Sequence, residues 1–338
     1  MKRGKIYQLK GSLSRREFAK RSILILAGAG TAGLVGYGLF NTKKIRTINN
    51  VLRMGHCAPT VMQTLLGING IQNLDMVKHA AGLAGGIAGT EMECGVLTAP
   101  LIYMGYSNSS LNGINEKLKI ISQAQSYLKE FNTFYGTTIC SNIQQRESCK
   151  HVILNFYKPY SQAIKSPVPL SDEAEEAYTL LLETFDEKKF HCACNVLENL
   201  SSSFNVTQEL YDSSWLFIGG IALLNRTCGA LAAGAIALSS ATAGIENSYS
   251  RVARLHRLLK NNDNTAMDEE MNNFNRSINL CDELGSWFRN TYGSTTCHQL
   301  CRLNFANIND VKSFISGSCM GYCRNLASAV AKKVSDMI

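Results

Sequence analysis

Twelve cysteines are spread over 338 residues, and eight of them recur in register. Cys57, Cys94, Cys140 and Cys149 in the first half match Cys192, Cys228, Cys297 and Cys323 in the second. Thiols repeated in this way point to thiol–disulfide exchange, to an iron–sulfur cluster or to another bound metal ion. Each point lies where a helix is expected to begin. Cys57 precedes Pro59, a residue favoured in a first helical turn. Cys94 follows Gly89-Thr90-Glu91, Cys140 follows Tyr135-Gly136-Thr137-Thr138, and Cys149 follows Glu147-Ser148. Unpaired amides and the helix dipole at such a terminus favour the thiolate, the form that attacks disulfides and binds metals. These eight cysteines are the candidate redox or ligand residues. The first-half spacings of 37, 46 and 9 residues fit no compact cluster motif, so the fold must bring the sulfurs together. The short last interval predicts a less complete site in the first half. Cys194, Cys281, Cys301 and Cys319 have no counterpart there, although Cys297/Cys301 and Cys319/Cys323 are each one helical turn apart. His56 and His191 each precede the first cysteine of a set and are candidate ligands or proton carriers. Adjacent helical residues point about 100° apart, which disfavours histidine and cysteine on one metal.

The elements that carry these thiols are duplicated. His56-Cys57-Ala58-x-x-Val61 matches His191-Cys192-Ala193-x-x-Val196, and Gly85-Gly86-Ile87-Ala88 matches Gly219-Gly220-Ile221-Ala222. Cys94-Gly95 matches Cys228-Gly229. Phe131-x-x-x-Tyr135-Gly136-x-Thr138-x-Cys140 matches Phe288-x-x-x-Tyr292-Gly293-x-Thr295-x-Cys297. The offset is 135 residues at the first block, 134 at the next two and 157 at the last. The second copy therefore carries an insertion, expected in the polar run Asn261–Asn273. The copies are read as 45–165 and 166–338, with Ser166-Pro167-Val168-Pro169 as linker, because two prolines cannot continue a helix.

Apolar residues recur at helical spacing and no alternating strand pattern is present. Leu118, Ile121, Ala124 and Leu128 form one stripe, and Leu326, Val330, Val334 and Ile338 another. The fold class is all-α: two tandem helical-bundle domains after an N-terminal signal or anchor helix. Ala80–Met104 and Trp215–Ala243 are rich in glycine and alanine and nearly all apolar, but Glu91, Glu93 and Arg226 interrupt them. They read as buried central helices rather than membrane spans. Gly85-Gly86 and Gly219-Gly220 read as packing glycines rather than a phosphate cradle.

The net charge of +8 is concentrated at one end. Residues 1–44 hold ten of the 34 basic and one of the 26 acidic residues, which leaves 24 against 25 in the body. No basic excess remains there to neutralise phosphates, so a nucleic-acid partner is not expected. Ser14-Arg15-Arg16-Glu17-Phe18-Ala19-Lys20 resembles a bacterial twin-arginine export signal, with Arg15 and Arg16 as the signal pair. An apolar stretch, Ile23–Phe40, and Lys43-Lys44 follow in the expected order. The resemblance implies translocation by the twin-arginine machinery to the bacterial periplasm. No clear cleavage site precedes Lys43, so residues 1–44 are read as a twin-arginine signal or, if uncleaved, an inner-membrane anchor.

The cysteine pattern resembles the redox-active proteins named C_GCAxxG_C_C, after one cysteine, a Cys-Gly-Ala-x-x-Gly motif and two further cysteines. Cys228-Gly229-Ala230 fits the central motif, with Ala233 at its last glycine. The first copy keeps Cys94-Gly95 but has Val96 and Ala99 at the next two motif positions. Both copies are covered. The resemblance implies helical domains with redox-active cysteines and supplies no substrate.

Covalent c-type haem needs Cys-x-x-Cys-His, and no such run occurs. Hydrolase and nucleotide-binding signatures are likewise missing from the sequence. The expected function is electron or thiol–disulfide transfer at clustered cysteines, with a redox partner protein. The sequence leaves open whether the thiols cycle as disulfides or hold an iron–sulfur cluster or other metal. The alternative is a non-catalytic envelope subunit with structural disulfides, which an oxidising compartment favours.

Overall fold

The computed structural model describes residues 42–109, 113–246, 249–261 and 263–338. The twin-arginine motif and the apolar stretch after it lie outside the described residues. Among the described residues the fold is all-helical, with no strand and two isolated antiparallel bridges.

The first copy runs through α1 (Thr42–Met54), α2 (Cys57–Ile68), α3 (Leu74–His79), two short 3₁₀ turns, α4 (Gly95–Ser107), α5 (Ile114–Tyr135), α6 (Cys140–Arg146), α7 (Cys149–Asn155) and α8 (Tyr157–Lys165). The second runs through α9 (Asp172–Glu187), α10 (Cys194–Leu200), α11 (Gln208–Trp215), α12 (Gly229–Thr242), α13 (Ser250–Lys260), α14 (Asn264–Tyr292), α15 (Cys297–Cys301), α16 (Ile308–Ser316) and α17 (Cys319–Ser335). The insertion is α13 together with the start of α14. It therefore begins earlier than Asn261, because Ser250–Lys260 forms a basic amphipathic helix whose Arg251 and Arg254 pair with Glu270 of α14.

The centre of each copy is a buried apolar helix, built mostly of small residues in α12 and of larger ones such as Leu97, Ile102 and Met104 in α4. Gly95–Gly105 of α4 and Gly229–Ser239 of α12 are buried throughout. Alanines and glycines let neighbouring helices come close: a Cβ on Gly234 would lie 2.6 Å from Val330 and 3.3 Å from Leu284. Among the described residues no helix is long and apolar enough to cross a membrane. Pro100 lies inside α4 and cannot donate to the carbonyl of Val96. The buried hydroxyl of Tyr127 donates to that carbonyl instead, at 3.2 Å.

The copies interlock through matching segments. Gln125 of α5 donates to the Ala222 carbonyl at 2.8 Å. In return Arg289 of α14 donates to the Thr90 carbonyl at 3.3 Å. Between the copies, Glu93 is buried against Arg226 at 3.7 Å and accepts a hydrogen bond from Thr227. Arg226 also donates to Thr138 at 2.7 Å. These charges serve the seam between copies, which explains why they interrupt otherwise apolar stretches.

Candidate functional site

The Tyr-Gly-x-Thr-x-Cys block places the second and third cysteines of each set. Gly136 and Gly293, at φ of 71° and 75°, end α5 and α14 in the left-handed conformation that glycine adopts without steric cost. The chain then bridges back to the residue before the central cysteine, pairing Glu93 with Ile139 and Thr227 with Thr296. Cys94 N–H donates to the Thr138 carbonyl at 2.9 Å, and Cys228 N–H to the Thr295 carbonyl at 2.8 Å. Cys140 and Cys297 N–H donate to the carbonyls of Met92 and Arg226. Each central helix thus starts beside the helix that carries the third cysteine.

The paired glycines belong to the site. Gly85 and Gly219 direct backbone N–H groups at the sulfurs of Cys57 and Cys192. A Cβ on Gly220 would lie 2.6 Å from that of Cys297. A Cβ on Gly95 would come within 3.0 Å of the Cys57 sulfur, and one on Gly229 within 2.9 Å of the Cys192 sulfur. Still nearer are the carbonyl oxygens of Leu83, 2.6 Å from a Cβ on Gly95, and of Phe217, 2.2 Å from one on Gly229, so glycine in the central motif is required by the close approach of backbone as well as of the first cysteine.

The structure gathers Cys57, Cys94, Cys140 and Cys149 into one electrostatically coupled group. Cys149 is its most exposed member. In the second copy Cys192, Cys228, Cys297, Cys301 and Cys323 line one pocket of about 20 Å³, walled by Phe185, Phe305 and Phe314. That volume admits a single water-sized guest and no organic substrate. Cys319 completes the group: the sulfurs of Cys301, Cys319 and Cys323 all lie within 4.8 Å of one another. The Cys301 and Cys323 sulfurs are 3.5 Å apart. All twelve cysteines are free thiols.

Cys301 and Cys319 were not among the eight recurring positions. Their helical-turn spacing from Cys297 and Cys323 was the available signal. In the first copy Gln144 holds the place of Cys301 and donates to the Cys140 sulfur at 3.5 Å.

Helix starts do not lower the pKa of most of these thiols. Burial outweighs the terminus and pushes Cys57 and Cys228 up to about 12 and Cys192 up to about 11. Burial also raises Cys149. Two sulfurs go the other way. Cys140 is lowered because the Cys94 thiol donates to it, with Gln144 adding to the effect. Cys301 is lowered by donors from Cys297, Cys319 and Cys323, in that order. The donors are raised correspondingly, Cys319 to about 12. The hydrogen bonds in each centre therefore favour one acceptor sulfur, Cys140 in the first and Cys301 in the second.

The histidines lie outside this sulfur chemistry. His191 accepts from Cys194 N–H through Nδ1 at 3.1 Å, and its Nε2 meets the Trp215 carbonyl at 3.1 Å. Both ring nitrogens are engaged with backbone. His56 stacks on Phe274 with ring centroids 4.2 Å apart. Burial holds both histidines neutral, with pKa values down to about 4. Cys194 is raised by burial, and Cys281 packs at the seam against Ser239.

No curated protein and no solved structure matches the chain. The family model described as "Putative redox-active protein (C_GCAxxG_C_C)" matches twice, over residues 55–162 and 190–337. Those two regions cover most of the chain and contain both cysteine centres, so the protein belongs to the C_GCAxxG_C_C family as a tandem pair of its domains.

Proposed function

We propose that the protein is an exported redox protein that exchanges thiols and disulfides with a partner protein at its second cysteine centre. The observation that carries this reading is the 3.5 Å approach of Cys323 to Cys301, the sulfur whose pKa its neighbours lower. The Cys301 thiolate attacks a disulfide of the partner, forming a mixed disulfide and releasing one partner thiolate. Cys323, as thiolate, then attacks the Cys301 sulfur, releases the second partner thiolate and closes a Cys301–Cys323 disulfide. Two electrons pass from the chain to the partner, and the reverse sequence oxidises a partner dithiol. The sulfurs must move from 3.5 Å to about 2.05 Å, a short closure between the ends of two helices. Half-burial of Cys301 and Cys323 leaves them within reach of a partner's disulfide.

Ser14–Lys20, with Arg15 and Arg16, supports export through the twin-arginine machinery, and Ile23–Phe40 supports retention at the periplasmic face of the inner membrane. In that compartment dithiol–disulfide couples are long-lived.

The test is to equilibrate the reduced full-length chain with glutathione buffers of graded ratio and map the disulfides by peptide mass spectrometry. The reading expects a reversible Cys301–Cys323 bond. A chain that stays reduced throughout overturns it. Bonds that the buffer cannot reduce would instead favour an envelope subunit with structural disulfides. Export is tested separately: replacing Arg15 and Arg16 with lysine keeps the charge and is expected to leave the chain in the cytoplasm.

A further inference from the structure

We propose that Cys301, Cys319 and Cys323 form a site for one copper(I) ion, held by three thiolates. The site uses the same thiols as the redox reading but does not depend on their forming a disulfide. Among the described residues these three are the group of potential ligands whose donor atoms all lie within 4.8 Å of one another. A metal–sulfur bond of about 2.3 Å puts three sulfurs in a trigonal plane about 4 Å apart. The 3.5 Å between Cys301 and Cys323 and the 4.8 Å limit for the triad bracket that spacing. A cluster places several iron and sulfide atoms between its ligands and needs them farther apart.

Two helix ends build the site. Cys319 and Cys323 project from one face of α17, one turn apart. Cys301 is the last residue of α15, where Arg302, at φ 56°, turns the chain away in the left-handed conformation. The three sulfurs converge at the edge of the pocket and are half-buried, so an ion can reach them from the surface. The pocket behind them, of about 20 Å³, holds one small guest.

The choice of ion follows from the donors. Thiolates select soft cations, chiefly copper(I) and zinc(II). Zinc completes a tetrahedron with a fourth ligand. Among the described residues no histidine, aspartate or glutamate joins the triad. Cys297 touches Cys301 but falls outside the 4.8 Å group, and it faces the pocket with Cys192, Cys228, Phe305, Phe314 and Leu326. Three soft donors in an apolar setting satisfy copper(I) without a fourth. Binding exchanges thiol protons for the cation and transfers no electrons. The first copy has Gln144 at the place of Cys301, so one site per chain is expected.

The test uses the reduced full-length chain under anaerobic conditions, with copper(I) supplied in competition with a chromophoric copper(I) chelator. The site predicts one copper per chain, thiolate-to-copper absorption in the ultraviolet and three sulfur neighbours by X-ray absorption. C319S should retain its helical circular dichroism. Losing one of three ligands should weaken its copper binding by more than about 100-fold. C94S should bind copper as the unaltered chain does. Equal affinity in C319S, dependence on Cys94, or preference for zinc(II) over copper(I) would overturn the site. Copper bound by a chain that forms no Cys301–Cys323 disulfide would support the site and refute the redox reading. A disulfide without copper binding would do the reverse.

Discussion

In the first copy Cys140 receives the thiol of Cys94 and the amide of Gln144. In the second, a cysteine replaces that glutamine one helical turn along. Cys297 then becomes a donor to Cys301, and Cys319 and Cys323 supply two more thiols. The backbone is the same in both centres: a glycine-capped helix, a single antiparallel bridge and a buried apolar helix. Two added cysteines on a shared frame, Cys301 and Cys319, therefore change which sulfur its neighbours favour as thiolate. They move that preference from buried Cys140 to half-buried Cys301. The comparison teaches that duplication preserved the scaffold while the chemistry was rebuilt on one copy.

The largest effect is expected from Cys301→Gln, which gives the second centre the first centre's arrangement. Reaction with a small disulfide reagent should slow on the order of 100-fold, because the favoured thiolate is lost. Stopped-flow kinetics would measure this, and an unchanged rate would place the reactive thiol elsewhere. Glu93→Ala breaks the charged pair at the seam, where the second copy has Thr227 at the matching position. Arg226 is partly exposed, so the expected cost in urea unfolding is about 3 kcal/mol, at the lower end for a buried pair.

A third difference concerns His79, whose counterpart in the second copy is Ser213. The two touch, Nδ1 to Oγ, at 3.0 Å. Burial holds the His79 pKa at about 4 instead of 6.5, with Asp75 and Lys78 acting in opposite directions. Because the folded value is depressed, the unfolded chain takes up the proton first as pH falls. Stability should be unaffected by this group above pH 6.5 and should fall between 6.5 and 4, by about 3 kcal/mol. His79→Gln should flatten that slope. The smallest effects are expected to be shared: Gly95→Ala and Gly229→Ala should each cost about 1–3 kcal/mol by overpacking, since a Cβ at either would press on a backbone carbonyl, of Leu83 or Phe217, and on the first cysteine's sulfur. A loss in only one copy would show that the frames differ.

The frame was legible because its residues repeat. Tyr-Gly-x-Thr-x-Cys recurs since the glycine must take a positive φ and the chain must bridge back at a fixed distance. Cys301 and Cys319 were missed for the converse reason: matching the copies discards residues that only one of them has. Helix starts were a poor guide to ionisation at Cys57, Cys192 and Cys228, because desolvation of a buried sulfur outweighs the dipole there. The roles of His56 and His191 depend on Phe274 and the Trp215 carbonyl, contacts distant in sequence. The insertion's helix, Ser250–Lys260, begins before the polar run that first suggests it.

If the hydrogen bonds of the second centre act as described, Cys301 carries the chain's reactive thiolate. Alkylation of the reduced full-length protein across pH, with each cysteine quantified by peptide mass spectrometry, tests it most directly. Cys301 should be modified first, with a rate that reaches its plateau well below the ordinary thiol range near pH 8.5. Earlier modification of Cys140, or a Cys301 rate that climbs only above that range, would contradict it.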